Sequence, residues 1–81
     1  MIKIAFIKFS GMATGGTEKV LQTIAAELPK DEFEVDFFYC DAASYIGSDF
    51  KHLDTDPSRI KYVKENGVNL IKFKMVPTWP L

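Results

Sequence analysis

Ser10-Gly11-Met12-Ala13-Thr14-Gly15-Gly16-Thr17-Glu18 decides how this chain reads, because this glycine-punctuated turn sits between an apolar run (residues 2–9) and a helical pattern (residues 20–28). A strand that feeds such a turn and then a helix leaves backbone N–H groups without intrahelical partners, and these carry partial positive charge. Glycine allows close approach of a ligand there, so the corner is suited to an anion, phosphate above all.

Working outward, Ile2-Lys3-Ile4-Ala5-Phe6-Ile7-Lys8-Phe9 is rich in β-branched and aromatic residues. Its near-continuous apolarity predicts a strand covered on both faces in a parallel sheet. Val20, Leu21, Ile24, Ala25 and Leu28 recur at helical spacing and predict one buried stripe, with Glu18, Lys19, Gln22, Thr23 and Glu27 on the other side. Pro29 disfavours helical dihedrals at Leu28 and stops the helix there. Residues 34–40 predict a second strand parallel to the first through a right-handed crossover, with Phe37, Phe38 and Tyr39 in the core. Residues 41–54 carry no clear period and read as a loop in which Tyr45, Ile46 and Phe50 cover the sheet edge or line a groove. Asp56-Pro57 is a helix start, an N-cap acid before a proline at the first helical position. Ile60, Tyr62 and Val63 form that helix's buried side, and Asn66-Gly67 ends it. Residues 69–76 alternate as a third strand, with Ile71, Phe73 and Met75 on one face and Leu70, Lys72, Lys74 and Val76 on the other. Two lysines on one face mark a sheet edge.

The 81 residues make one small domain or part of one. With 47% hydrophobic and 14% aromatic residues the composition is too apolar for intrinsic disorder. A formal charge of -1 and the lack of any basic block exclude a nucleic-acid footprint. Cys40, the single cysteine, cannot close an intramolecular disulfide and fits a buried thiol in a reducing, cytoplasmic setting. The apolar start is short, is interrupted by Lys3 and Lys8, and reads as neither signal peptide nor membrane span.

Together, the strand over residues 2–9, the turn ending Gly15-Gly16-Thr17-Glu18, the helix to Leu28 and the Glu34-Val35 entry to a second strand resemble the amino-terminal start of family 4 glycosyltransferases, retaining enzymes of the GT-B fold. Glu65-Asn66-Gly67-Val68 is similar to the family's third element, and the Gly-Gly-x-Glu start is the specific part of the resemblance. The fold expected is therefore α/β: a Rossmann-like three-layer start (β-α-β-loop-α-β) on a parallel sheet. Residues 1–81 would be a partial Rossmann-like amino-terminal domain on the acceptor side of a GT-B enzyme.

The resemblance implies a two-domain enzyme of carbohydrate biosynthesis that transfers a sugar from a nucleotide-sugar donor to a glycan or lipid-linked acceptor. Its active site would lie between the domains. Gly15 and Gly16 carry over as donor-phosphate contacts with Thr17 as their neighbour, and Met12 and Thr14 as acceptor contacts. The family's paired-glutamate motif and its later amino-domain histidine have no counterpart here, so no catalytic residue is assigned. Transfer needs groups on both sides of a closed cleft, and the 81-residue chain alone is expected to be inactive. No metal and no cofactor is expected, the nucleotide-sugar being a substrate. Peripheral membrane association of the full-length enzyme is compatible with a lipid-linked acceptor. Because a sheet of this kind runs in the order 3-2-1-4, the first strand is expected to be an unpaired edge here, through which copies self-associate.

Other readings stand beside this one. A non-catalytic nucleotide- or dinucleotide-binding Rossmann module would use Asp36 or Asp41 as its ribose-binding acid. A small interaction domain would use the glycines for architecture alone. Gly11 and Gly16 have Walker A spacing, but Thr17 and Glu18 replace the required Lys and Ser or Thr. Glu18 suits the helix dipole, and Asp54-Thr55-Asp56 reads as a helix cap before a metal signature. His52 lacks metal or triad partners, and Trp79 is a packing aromatic or a sugar platform.

Overall fold

The computed structural model describes residues 1–40 and 54–73. Three strands, β1 (Ile2–Lys8), β2 (Phe33–Tyr39) and β3 (Asn69–Lys72), alternate with two helices, α1 (Gly16–Glu27) and α2 (Pro57–Glu65). The sheet is parallel in the order β1-β2-β3, with Phe6 opposite Phe37 and Phe38 opposite Ile71. Among the described residues this is a small α/β domain whose two crossovers each carry one helix. The predicted readings of Asp41, Tyr45, Ile46, Phe50, His52, Met75 and Trp79 fall outside the described residues.

Both helices cover one face of the sheet. Val35, Phe37 and Tyr39 alternate along β2 and are buried, and they share a core with Met12, Ala25 of α1, Val63 of α2 and Val68. Phe6 stacks on Phe37 with ring centroids 5.5 Å apart, and Leu21, Leu28, Ile60, Tyr62 and Leu70 close the margins.

The opposite face of the sheet is open among the described residues. Ile7, Phe38 and Ile71 share a row there, and Ile7 is 72% exposed, Ile71 36% exposed and Phe38 half-buried. Among the described residues the sheet is therefore two-layered, although residues 2–9 are apolar enough for burial on both sides.

The structure does correct the reading of α1. The stripe predicted from hydrophobicity is rotated: Val20 and Ile24 are 58% and 47% exposed, whereas Glu18, Gln22, Ala25 and Ala26 are buried. Polar partners decide this. Gln22 faces three groups that it can bond, so the helix turns an amide inward and leaves two aliphatic side chains outside.

The ends of α2 follow the sequence closely. Asp56 is its N-cap, accepting from the Ser58 backbone N–H and hydroxyl at 2.8 Å each, and Pro57 follows where no N–H is needed. Gly67 adopts φ +83, the left-handed conformation that turns the following Val68 N–H back to the Val63 carbonyl at 3.3 Å and stops the helix. Lys30 closes the same end of the domain, its Nζ donating to the carbonyls of Ala26 and Leu28 at the C-terminus of α1.

Candidate functional site

Both helices begin at the carboxyl end of the parallel strands, where open α/β sheets place their ligands. There the chain leaves β1 and folds residues 9–15 into a tight loop. Ser10 takes φ 82, unusual for a residue with a side chain, and its N–H donates to the Cys40 carbonyl beyond β2. Gly11 donates to the Lys8 carbonyl and is wedged in the core. A methyl group at position 11 would come within 2.5 Å of Phe37 Cε1 and 3.0 Å of Tyr39 Cβ, so only glycine fits without displacing either. This is a packing glycine, and its Walker A spacing to Gly16 is incidental.

Two buried polar side chains of α1 lock the loop. Gln22 Nε2 donates to the Gly11 and Ala13 carbonyls at 2.7 and 2.9 Å, while its Oε1 accepts from Arg59 Nε of α2, whose guanidinium lies over the Tyr62 ring. Glu18 accepts from the Ser10 hydroxyl at 2.8 Å and pairs with Lys8 at 3.1 Å. The Asp56 N–H adds a third tie, donating to the Met12 carbonyl at 2.8 Å and joining the starts of the two helices.

The predicted site residues divide across this loop. Met12, expected to touch an acceptor, is wholly buried among Ala25, Val35 and Phe37, so its side chain serves packing and offers no surface to a ligand. Thr14 and Thr17 are exposed. Gly15 is the N-cap of α1 and contributes no side-chain bond, and its hydrogen-bearing side lies against the Glu18 carboxylate. Gly16 opens α1, is exposed, and has nothing within 4 Å of the position a Cβ would take. Its conformation is helical and its surroundings are empty among the described residues, so neither backbone strain nor their packing calls for glycine there. Among the described residues the N–H groups of Gly16 and Thr17 meet no acceptor.

Burial raises the Glu18 carboxyl, but the Ser10 hydroxyl, the Glu18 N–H and Lys8 together outweigh it and hold the group below its ordinary value. Because the folded state favours the charged form, this stabilisation is complete above the unfolded carboxylate value, roughly pH 4.3, and is lost as pH falls through the lower folded value. Asp56, lowered by the Ser58 hydroxyl and N–H, acts with the same sign. Thermal unfolding between pH 2 and 6 should show a steeper acid loss for the wild type than for Glu18→Gln, which lacks this titration. Parallel curves would contradict the assignment.

Sequence reasoning missed Gln22 and Ser10. A polar residue between Leu21 and Thr23 carries no signal by itself, and the partners that bury Gln22 are carbonyls of a loop whose path the sequence does not specify. The ribose-acid alternative weakens at Asp36, which sits within β2 on the open sheet face and accepts from Asn69 Nδ2 at 2.9 Å. No group of three or more His, Cys, Asp and Glu is placed to hold a metal ion among the described residues. Nor is any described helix long and apolar enough to cross a membrane.

Comparison with known protein families, curated proteins and solved structures returns no match.

Proposed function

We propose that this chain is the amino-terminal, acceptor-side part of a retaining glycosyltransferase of the GT-B type, with the first turn of α1 contacting the diphosphate of a nucleotide-sugar. The reading is supported above all by Gly16, a glycine that the described part of the fold does not require, at a helix start where two N–H groups meet no acceptor among the described residues, at the carboxyl end of β1. Thr17 and Thr14 flank it with exposed hydroxyls. Acceptor contacts, on this reading, come from Thr14 and the surrounding backbone. The parallel sheet and the amphipathic crossovers agree with a Rossmann-like half-domain, and the chemistry of transfer would need groups from a facing domain.

Gly16→Ala tests the reading. The methyl group enters open space, so stability should change by less than about 1 kcal/mol, whereas a phosphate would meet that methyl in place of bare backbone. Backbone amide shifts followed during titration with uridine or guanosine diphosphate should move at residues 15–17 in the wild type. They should move at least about tenfold less steeply with concentration in Gly16→Ala, a difference of roughly 1.4 kcal/mol. Equal titration curves, or shifts centred elsewhere, would refute the assignment. NAD as a competing titrant separates a dinucleotide-binding module from a donor site.

A further inference from the structure

A second feature flanks the glycine corner. Among the described residues β1 is an edge of the sheet, seven residues long, free of proline, and bearing exposed Ile2 and Ile7. Above it, the exposed Val20 and Ile24 of α1 each lie two positions from Gln22, and so about 200° around the helix from the side chain that reaches α2. With α2 beyond that side, Val20 and Ile24 face the free edge of β1. An unpaired edge and an unpartnered helix stripe thus occupy the same flank.

We infer that this flank binds a second copy of the chain, β1 pairing antiparallel with its counterpart about a two-fold axis at Ala5. The axis pairs Ile4 with the second copy's Phe6, Lys3 with Ile7 and Lys8 with Ile2, so a lysine stem covers each exposed isoleucine. Like charges stay apart: the two Lys3 positions are separated by four residues along the ladder, about 14 Å. Parallel sheet and antiparallel joint together make six strands in the order 3-2-1-1-2-3. On the helix side α1 runs antiparallel to its strand, and the same axis sets Val20 against Ile24 of the second copy. It also brings each Glu27 toward the other copy's first helical turn, so that self-association and anion binding at Gly16 and Thr17 oppose each other. The self-complementarity in shape and charge is that of an isologous dimer.

Sedimentation equilibrium and oxidative cross-linking of the full 81-residue chain test this. The wild type should sediment at twice its 9.2 kDa mass at high concentration, and Val20→Lys with Ile24→Lys should weaken association at least about tenfold while leaving the circular dichroism of the fold unchanged. Ala5→Cys places two thiols at the axis, where paired Cα atoms lie about 4.5–5.5 Å apart, within disulfide range, whereas Lys3→Cys does not. Cys40 is buried and sets the background. Rapid cross-linking of Ala5→Cys alone supports the register. A monomer at all concentrations, association indifferent to the lysines, or equal cross-linking of Lys3→Cys would overturn it.

Discussion

Replacing Phe37 by alanine is expected to cost about 3–5 kcal/mol, the range for truncating a fully buried aromatic. Phe37 is 0% exposed at the centre of β2, stacks on Phe6, and lies where Gly11 allows the loop to pass over the ring. Small domains hold only about 5–15 kcal/mol in total, so the variant should be partly unfolded near 25 °C. Urea titration followed by circular dichroism measures the loss. A cost below about 1.5 kcal/mol would mean that the ring's site collapses without penalty and that the core is centred elsewhere.

The second large effect falls on a polar residue. Gln22→Leu keeps nearly the same volume and raises hydrophobicity, yet it should destabilise the fold by about 2–4 kcal/mol, because the Gly11 and Ala13 carbonyls lose their donor inside the protein. Arg59 loses its acceptor as well, but it is half-buried and regains water. A buried carbonyl left alone costs about 1–3 kcal/mol. Gln22→Glu separates packing from bonding: it keeps the shape and the Arg59 contact but offers no donor, and it should fail almost as badly as leucine. If leucine instead stabilises the chain, the rotated orientation of α1 is wrong and the stripe drawn from hydrophobicity is right.

That contrast shows what the sequence makes legible. Asp56, Pro57 and Gly67 announce the ends of α2 because caps, a proline nitrogen and a left-handed residue act through their immediate neighbours. β1 and β2 are legible from β-branched and aromatic content, to within a residue of the predicted bounds. The face that α1 buries is not legible, since Gln22 and Glu18 are drawn inward by a loop and a strand end eight or more positions away. The corner at residues 15–17 was visible as glycine after a strand. The difference between its glycines was hidden, because Gly11 answers to the Phe37 ring across the sheet and Gly16 to nothing within 4 Å. Met12 illustrates the same limit: loop position suggested a ligand contact, and three-dimensional neighbours made it core.

The direction of β1 also has a practical consequence. Met1 is 81% exposed at the end of the strand remote from Gly16, a strand's length or about 23 Å away. An affinity tag or sensor-surface tether fused ahead of Met1 therefore leaves the glycine corner pointing into bulk solvent. The same tether stands beside the exposed flank of β1, so immobilised and free protein make a matched pair for telling ligand capture from self-association.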